Sequence, residues 1–119
     1  MNPATLVALA LAIWGVFSPP TPIVPITLSD PSPSTVALAV PTASSCPILL
    51  SRLFAVASPA MQLHIIIHEV GHCLGASHTD SPNSIMTPNL TNVERPTAFD
   101  YQRLGITTRR SLFVPMIVD

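Results

Sequence analysis

Apolar and polar positions alternate in blocks along the chain. Residues 5–17 (TLVALALAIWGVF) form a short apolar run with no polar face. The run suits the hydrophobic region of a signal peptide and is short for a bilayer-spanning helix. No Lys or Arg precedes it and no small-x-small cleavage site follows, so an uncleaved signal anchor is the second reading. A core helix is the plainest alternative, but a helix apolar all round needs a larger body to bury it. Residues 18–33 (SPPTPIVPITLSDPSP) are dominated by proline, which locks φ and removes backbone donors. This predicts an extended linker without regular helix, with disorder as its simplest form. Residues 35–40 (TVALAV) suit one short strand ended by Pro41.

Residues 48–57 (ILLSRLFAVA) fit either a helix or a buried strand; the leucines and alanines favour helix, and Pro59 ends it in either case. A longer helix is expected over residues 60–74, where the β-branched triple Ile65, Ile66 and Ile67 suits burial against a sheet. Near the C-terminus Thr97 is a candidate N-cap, Asp100 stands three residues on in a capping-box-like relation, and Gly105 stops a short helix. In the tail, residues 109–119, the segment SLFVPMIV suits an edge strand, with terminal disorder as the alternative.

The densest chemistry lies in residues 68–78, HEVGHCLGASH. On a helix His68 and His72 share a face, so both imidazoles can address one metal ion. Glu69 can take a proton from water without itself binding the metal. Gly75 can enter the left-handed conformation, end the helix and turn the chain so that His78 becomes a third ligand. Three neutral imidazoles leave a tetrahedral zinc one open position, the mark of a catalytic rather than a structural site.

HExxHxxGxxH followed by SIMTP, with Met86 eight residues after His78, resembles the metzincin zinc endopeptidases and within them the matrixin branch. PTAFDYQRLGI is similar to the start of that family's last catalytic-domain helix, with Asp100 and Gly105 at matching places. The resemblance covers roughly residues 60–106. It implies a zincin-like α+β fold: a reduced metzincin catalytic domain with active-site helix, Met-turn and C-terminal helix. It also implies one catalytic Zn2+ held by His68, His72 and His78, Glu69 as general base, Gly75 and Met86 as structural support, and a polypeptide substrate. Where matrixins usually carry Ser and Tyr, this chain has Thr79 and Thr87, the latter in the wall of the pocket for the side chain after the scissile bond.

Set against that resemblance the chain is short. About forty residues separate the proline-rich stretch from the active-site helix, room for one or two strands and not for a complete sheet. The expected division is a signal peptide or signal anchor over 1–18, a proline-rich linker with room for one short strand over 19–45, and a truncated matrixin-like peptidase domain over 46–119. The formal net charge of −1 and the absence of lysine leave no basic surface for nucleic acid. The first sixty residues hold only Asp30 and Arg52 as charges, which suits burial against a partner or membrane association of the apolar N-terminus. The expected location is extracellular, secreted or held by an uncleaved signal.

Other residues carry weaker signals. His64, four before His68, reads as a packed or supporting histidine rather than a ligand. Cys73 points about 100° round the helix from His72 and reads as a buried small hydrophobe; a disulfide to Cys46 is the lesser reading. Asn89, in NLT, fits a glycosylation sequon. Two functions follow, a zinc endopeptidase or a non-catalytic zinc-binding remnant that lacks a substrate cleft.

Overall fold

Asn2 and Pro3 start the first helix. The Asn2 carboxamide accepts a hydrogen bond from Thr5 N at 2.8 Å, Pro3 presets the helical φ, and Gly15 at φ 80° ends the helix α1, Pro3–Trp14. The structure, a computed structural model, describes residues 2–29, 35–88 and 93–104. There α1 is followed by β1 (Ile23–Thr27), β2 (Ala37–Ala39), β3 (Cys46–Leu50), α2 (Arg52–Ala55), α3 (Pro59–Cys73) and α4 (Ala98–Leu104). The protein is a small α+β fold, a three-stranded mixed sheet with helices packed around it.

The sheet has the order β1-β3-β2, with β1 parallel and β2 antiparallel to the central β3. Three strands form where one or two were expected, because the proline-rich stretch contributes one of them. Its Pro25 is tolerated since β1 is an edge strand, where a missing N–H need not break a ladder. Among the described residues of that stretch no helix forms, in keeping with the reading of an extended segment. Residues 48–57 divide differently from expectation. Cys46, Ile48 and Leu50 are buried in alternation along β3, a strand period, and only then does Ser51 cap the short α2. Burial of that strand's face outweighed the helical propensity of its leucines. β2 forms inside the segment expected to be a strand.

Helix α1 packs on α3. Its Leu6, Val7, Ala10 and Trp14 form a stripe at helical spacing and are buried, while the opposite face is open to solvent. Burying Leu6 and Val7 contributes on the order of 1.5–3 kcal/mol each. This small fold therefore buries one stripe of an all-apolar helix, the arrangement of a core helix. Among the described residues no helix is long and apolar enough to cross a membrane. Trp14 also donates from Nε1 to the Ile67 carbonyl at 2.8 Å, and its ring meets Tyr101 edge-on at 5.8 Å, which ties α1 to α3 and α4.

Cys46 and Cys73 form a disulfide that joins the start of β3 to the end of α3. This corrects the reading of Cys73 as a free buried hydrophobe: the register of β3 against α3 brings the two Cα atoms to 5.7 Å, a proximity that chain spacing alone does not reveal. The tail strand, the Gly105 helix stop and the Asn89 sequon lie outside the described residues.

Candidate metal centre and cleft

Helix α3 begins at Ser58, whose hydroxyl accepts from Met61 N, and Pro59 occupies its first turn rather than merely ending the segment before it. It stops where the glycine predicts. Gly75 has φ 105°; its N–H bonds His72 O at 3.0 Å, and Ala76 N bonds Gly71 O at 2.9 Å, a Schellman pair that reverses the chain. The reversal carries His78 back to His68 and His72.

One ligand nitrogen from each of the three imidazoles lies within 4.8 Å of the others, and His68 Nε2 stands 3.3 Å from His78 Nε2. Two nitrogens bound to one tetrahedral zinc at the usual bond length are about 3.3 Å apart. His68 Nδ1 faces Ile85 O at 2.8 Å and His72 Nδ1 faces Ala76 O at 2.8 Å, which makes those nitrogens the protonated ones and leaves each Nε2 lone pair for a metal. The donor set therefore fits zinc.

Burial holds the His68 pKa down, to about 4 from its ordinary 6.5, against the opposing carbonyl of Ile85. Burial also lowers His78, with His72 adding to the effect. Neutral imidazoles are what a cation needs. In the metal-free protein the same depression is a stability statement. Between pH 6.5 and about 4 the unfolded chain takes up a proton at His68 that the folded chain refuses, so stability is lost as pH falls through this window. The depression corresponds to about 3 kcal/mol, less whatever Glu69 offsets, since its raised pKa acts in the opposite sense. Urea titrations of chelator-treated protein at pH 7 and pH 4.5 should show the acid sample less stable, and His68→Gln should flatten the difference. Equal stability at both values would contradict the assignment.

Glu69 lies between the helix and the sheet. Its Oε1 accepts from Ala39 N at 2.8 Å, and burial raises its pKa against the favourable charge of His72. The strand explains this contact. Val36 O accepts from Ser51 N and Val40 N donates to Pro47 O, so the even-numbered residues of this segment turn toward β3. Ala37 and Ala39 therefore present their backbone groups to the free edge, where Glu69 takes one N–H. Oε2 has no partner among the described residues. Glu69 and the three histidines line a cavity of about 710 Å3 between α3, β2 and the turn that carries Thr87.

Beneath the histidines the chain is held by Asp100. Its buried carboxylate accepts from the Ser84 hydroxyl, from Ile85 N at 3.0 Å and from Thr97 N at 2.9 Å, which joins the turn of Met86 to the start of α4. The bond to Thr97 N is half of the expected capping box; the Thr97 hydroxyl turns instead to Asn83 O and Asp100. Asp100→Ala leaves buried donors unpaired and should destabilise the fold by about 2–4 kcal/mol, read by thermal or urea unfolding. A change under 1 kcal/mol would show that the turn does not depend on it.

Two residues of the site escaped the sequence reading. A Cβ placed on Gly71 would lie 2.5 Å from Met86 Sδ and 2.8 Å from Trp14 Cζ2, so the glycine inside HEVGH lets a methionine and a tryptophan meet the helix between His68 and His72. Trp14 thereby supports the centre from α1. The signal for it was present in the helical stripe of residues 6, 7, 10 and 14 and in the Asn2-Pro3 helix start.

No curated protein matches this chain. Residues 51–107, just under half of the 119-residue chain, match the family described as Matrixin, and over that stretch, from the cap of α2 through the histidine centre to α4, the chain is matrixin-like.

Proposed function

We propose that this chain is a matrixin-type, zinc-dependent endopeptidase that hydrolyses peptide bonds in extended polypeptides. The observation that carries the reading is the convergence of the His68, His72 and His78 nitrogens beside a buried glutamate at the open edge of a strand. Zinc, when bound, supplies a Lewis acid that polarises the scissile carbonyl and acidifies a water molecule. Glu69 is the group to receive that water's proton. Its raised pKa brings its basicity nearer neutral pH, and the Ala39 N–H holds one oxygen of a carboxylate that lines the cleft. It can then return the proton to the leaving amine. The outward carbonyls of Ala37 and Ala39 are placed to pair with an extended substrate backbone added to the edge of β2.

The disulfide supports maturation in an oxidising compartment, and so export of the chain. Release by signal cleavage within the first eighteen residues would remove α1 and with it the Trp14 contact to α3; the buried stripe of α1 supports its retention in the folded domain.

Purified protein should bind about one zinc per chain and cleave an unfolded substrate such as casein, with cleavage abolished by chelation and restored by zinc. Stoichiometric zinc binding without cleavage of any unfolded polypeptide would instead establish a non-catalytic remnant.

A further inference from the structure

The three histidines of the candidate centre are not held alike. His68 and His72 stand on α3, and each has a backbone carbonyl facing its Nδ1. His78 lies beyond the Gly75 reversal and is exposed, and among the described residues no backbone carbonyl orients its ring. Its place therefore depends on the chain to either side of it. On one side Thr79 N donates to Met86 O at 3.3 Å. The hold on the other side comes from a different helix. Arg103 of α4 donates from Nη1 to Ser77 O at 3.2 Å and from Nη2 to Ser77 Oγ at 2.9 Å. A planar guanidinium makes both bonds at once through its rigid fork, which a lysine ammonium does not reproduce. The Phe99 ring, its centre 5.7 Å from the guanidinium carbon, limits where that fork can swing.

We propose that Arg103 is a positioning residue for the metal centre, tying Ser77 to α4 and so holding His78 where a zinc ion can join it to His68 and His72. Helix α4 is a firm base for this hold. Asp100 fastens it to the turn of Met86 by accepting from Ile85 N, and the Tyr101 hydroxyl donates to Ile13 O at 2.8 Å. The inference rests on the zinc reading of the histidines and is independent of hydrolysis. Affinity falls when a ligand must first be ordered, so a loosened Ser77 weakens metal binding although all three imidazoles remain. Because both bonds are open to water, the effect is modest.

Competition for zinc between the full chain and a chelator of known affinity tests this. Arg103→Met, which keeps a side chain over Phe99 and loses the fork, should bind zinc about three- to tenfold more weakly and release it faster. Arg103→Lys should behave like Arg103→Met, since charge without the fork does not hold Ser77. Ser77→Ala, which keeps the carbonyl, should fall between these and the unmodified chain. In each variant the melting temperature of the metal-free chain should move by less than about 4 °C, as expected of a surface substitution. The decisive comparison removes the third histidine. In a His78→Ala background Arg103→Met should leave the already weaker zinc affinity unchanged within about twofold, because nothing remains to be positioned. Unchanged affinity in Arg103→Met, or a loss that persists in full without His78, would overturn the proposal. So would a loss of affinity matched by a loss of metal-free stability, the mark of a general weakening of the fold. A chain that takes up no zinc would sink the zinc reading and this role together. Zinc affinity that responds to Arg103 in a chain that cleaves no peptide would sustain the role and sink only the peptidase reading.

Discussion

Replacement of Glu69 by Ala is expected to lower peptide hydrolysis by about two to four orders of magnitude, the usual contribution of a positioned general base, with zinc still bound. The three histidines offer the nitrogens placed to hold a metal, and among the described residues none of their hydrogen bonds passes through Glu69. Glu69→Gln separates chemistry from structure. The amide oxygen can still accept from Ala39 N, so the strand and helix stay joined, but the group no longer takes a proton. It should be as inactive as Glu69→Ala and no less stable than the unmodified chain, because the cost of burying a charge is removed. The measurements are metal content, thermal unfolding and initial rates on a quenched fluorescent peptide. Residual activity above about one tenth in either variant would assign the base elsewhere.

Loss of the Cys46–Cys73 bridge is expected to cost about 3–4 kcal/mol, the chain-entropy value for cross-linking residues 27 apart. In a domain of this size such a loss lowers the melting temperature by roughly 15–25 °C. The consequence would also be local. Cys73 follows His72 directly, and Cys46 opens the central strand, so the bridge anchors the end of α3 just before the Gly75 reversal that positions His78. The double variant Cys46→Ala with Cys73→Ala should melt earlier and bind zinc more weakly. A reducing agent should do the same to the unmodified chain and nothing further to the variant. Identical melting of reduced and oxidised protein would show that the bridge does not contribute.

The centre was far more legible in the sequence than the fold that holds it. His68, His72 and Glu69 follow from the helical period, and Gly75 with His78 follows from the one residue type that adopts a left-handed turn without strain. These relations are local, and local geometry is written in spacing. Asp100 was read as the capping-box partner of Thr97, whose N–H it accepts, but its hold on the Met86 turn depends on a contact across the fold. The N-terminal half was harder to read for the same reason. Residues 5–17 are apolar enough for a targeting segment, and only packing against α3 selects which stripe is buried. Residues 23–27 contain a proline and read as linker until their pairing with β3 is known. In residues 48–57 helical propensity favoured a helix, worth tenths of a kcal/mol per residue, while burying Ile48 and Leu50 is worth on the order of 1.5–3 kcal/mol each.

By itself, then, the sequence determined three histidines placed to hold a metal, the neighbouring acid and the reversal that brings the third histidine round, because each depends on residue identity at fixed spacing along the chain; the α+β class followed from the family resemblance that those residues carry. Only the tertiary structure decided that α1 forms part of the core, that Gly71 makes room for Trp14 and Met86, and that Cys46 reaches Cys73. It also decided that Ala39 holds Glu69 and that His64 lines the cleft. Those arrangements join residues far apart in the chain, and their energies arise from burial and partner geometry that exist only once strands and helices have packed.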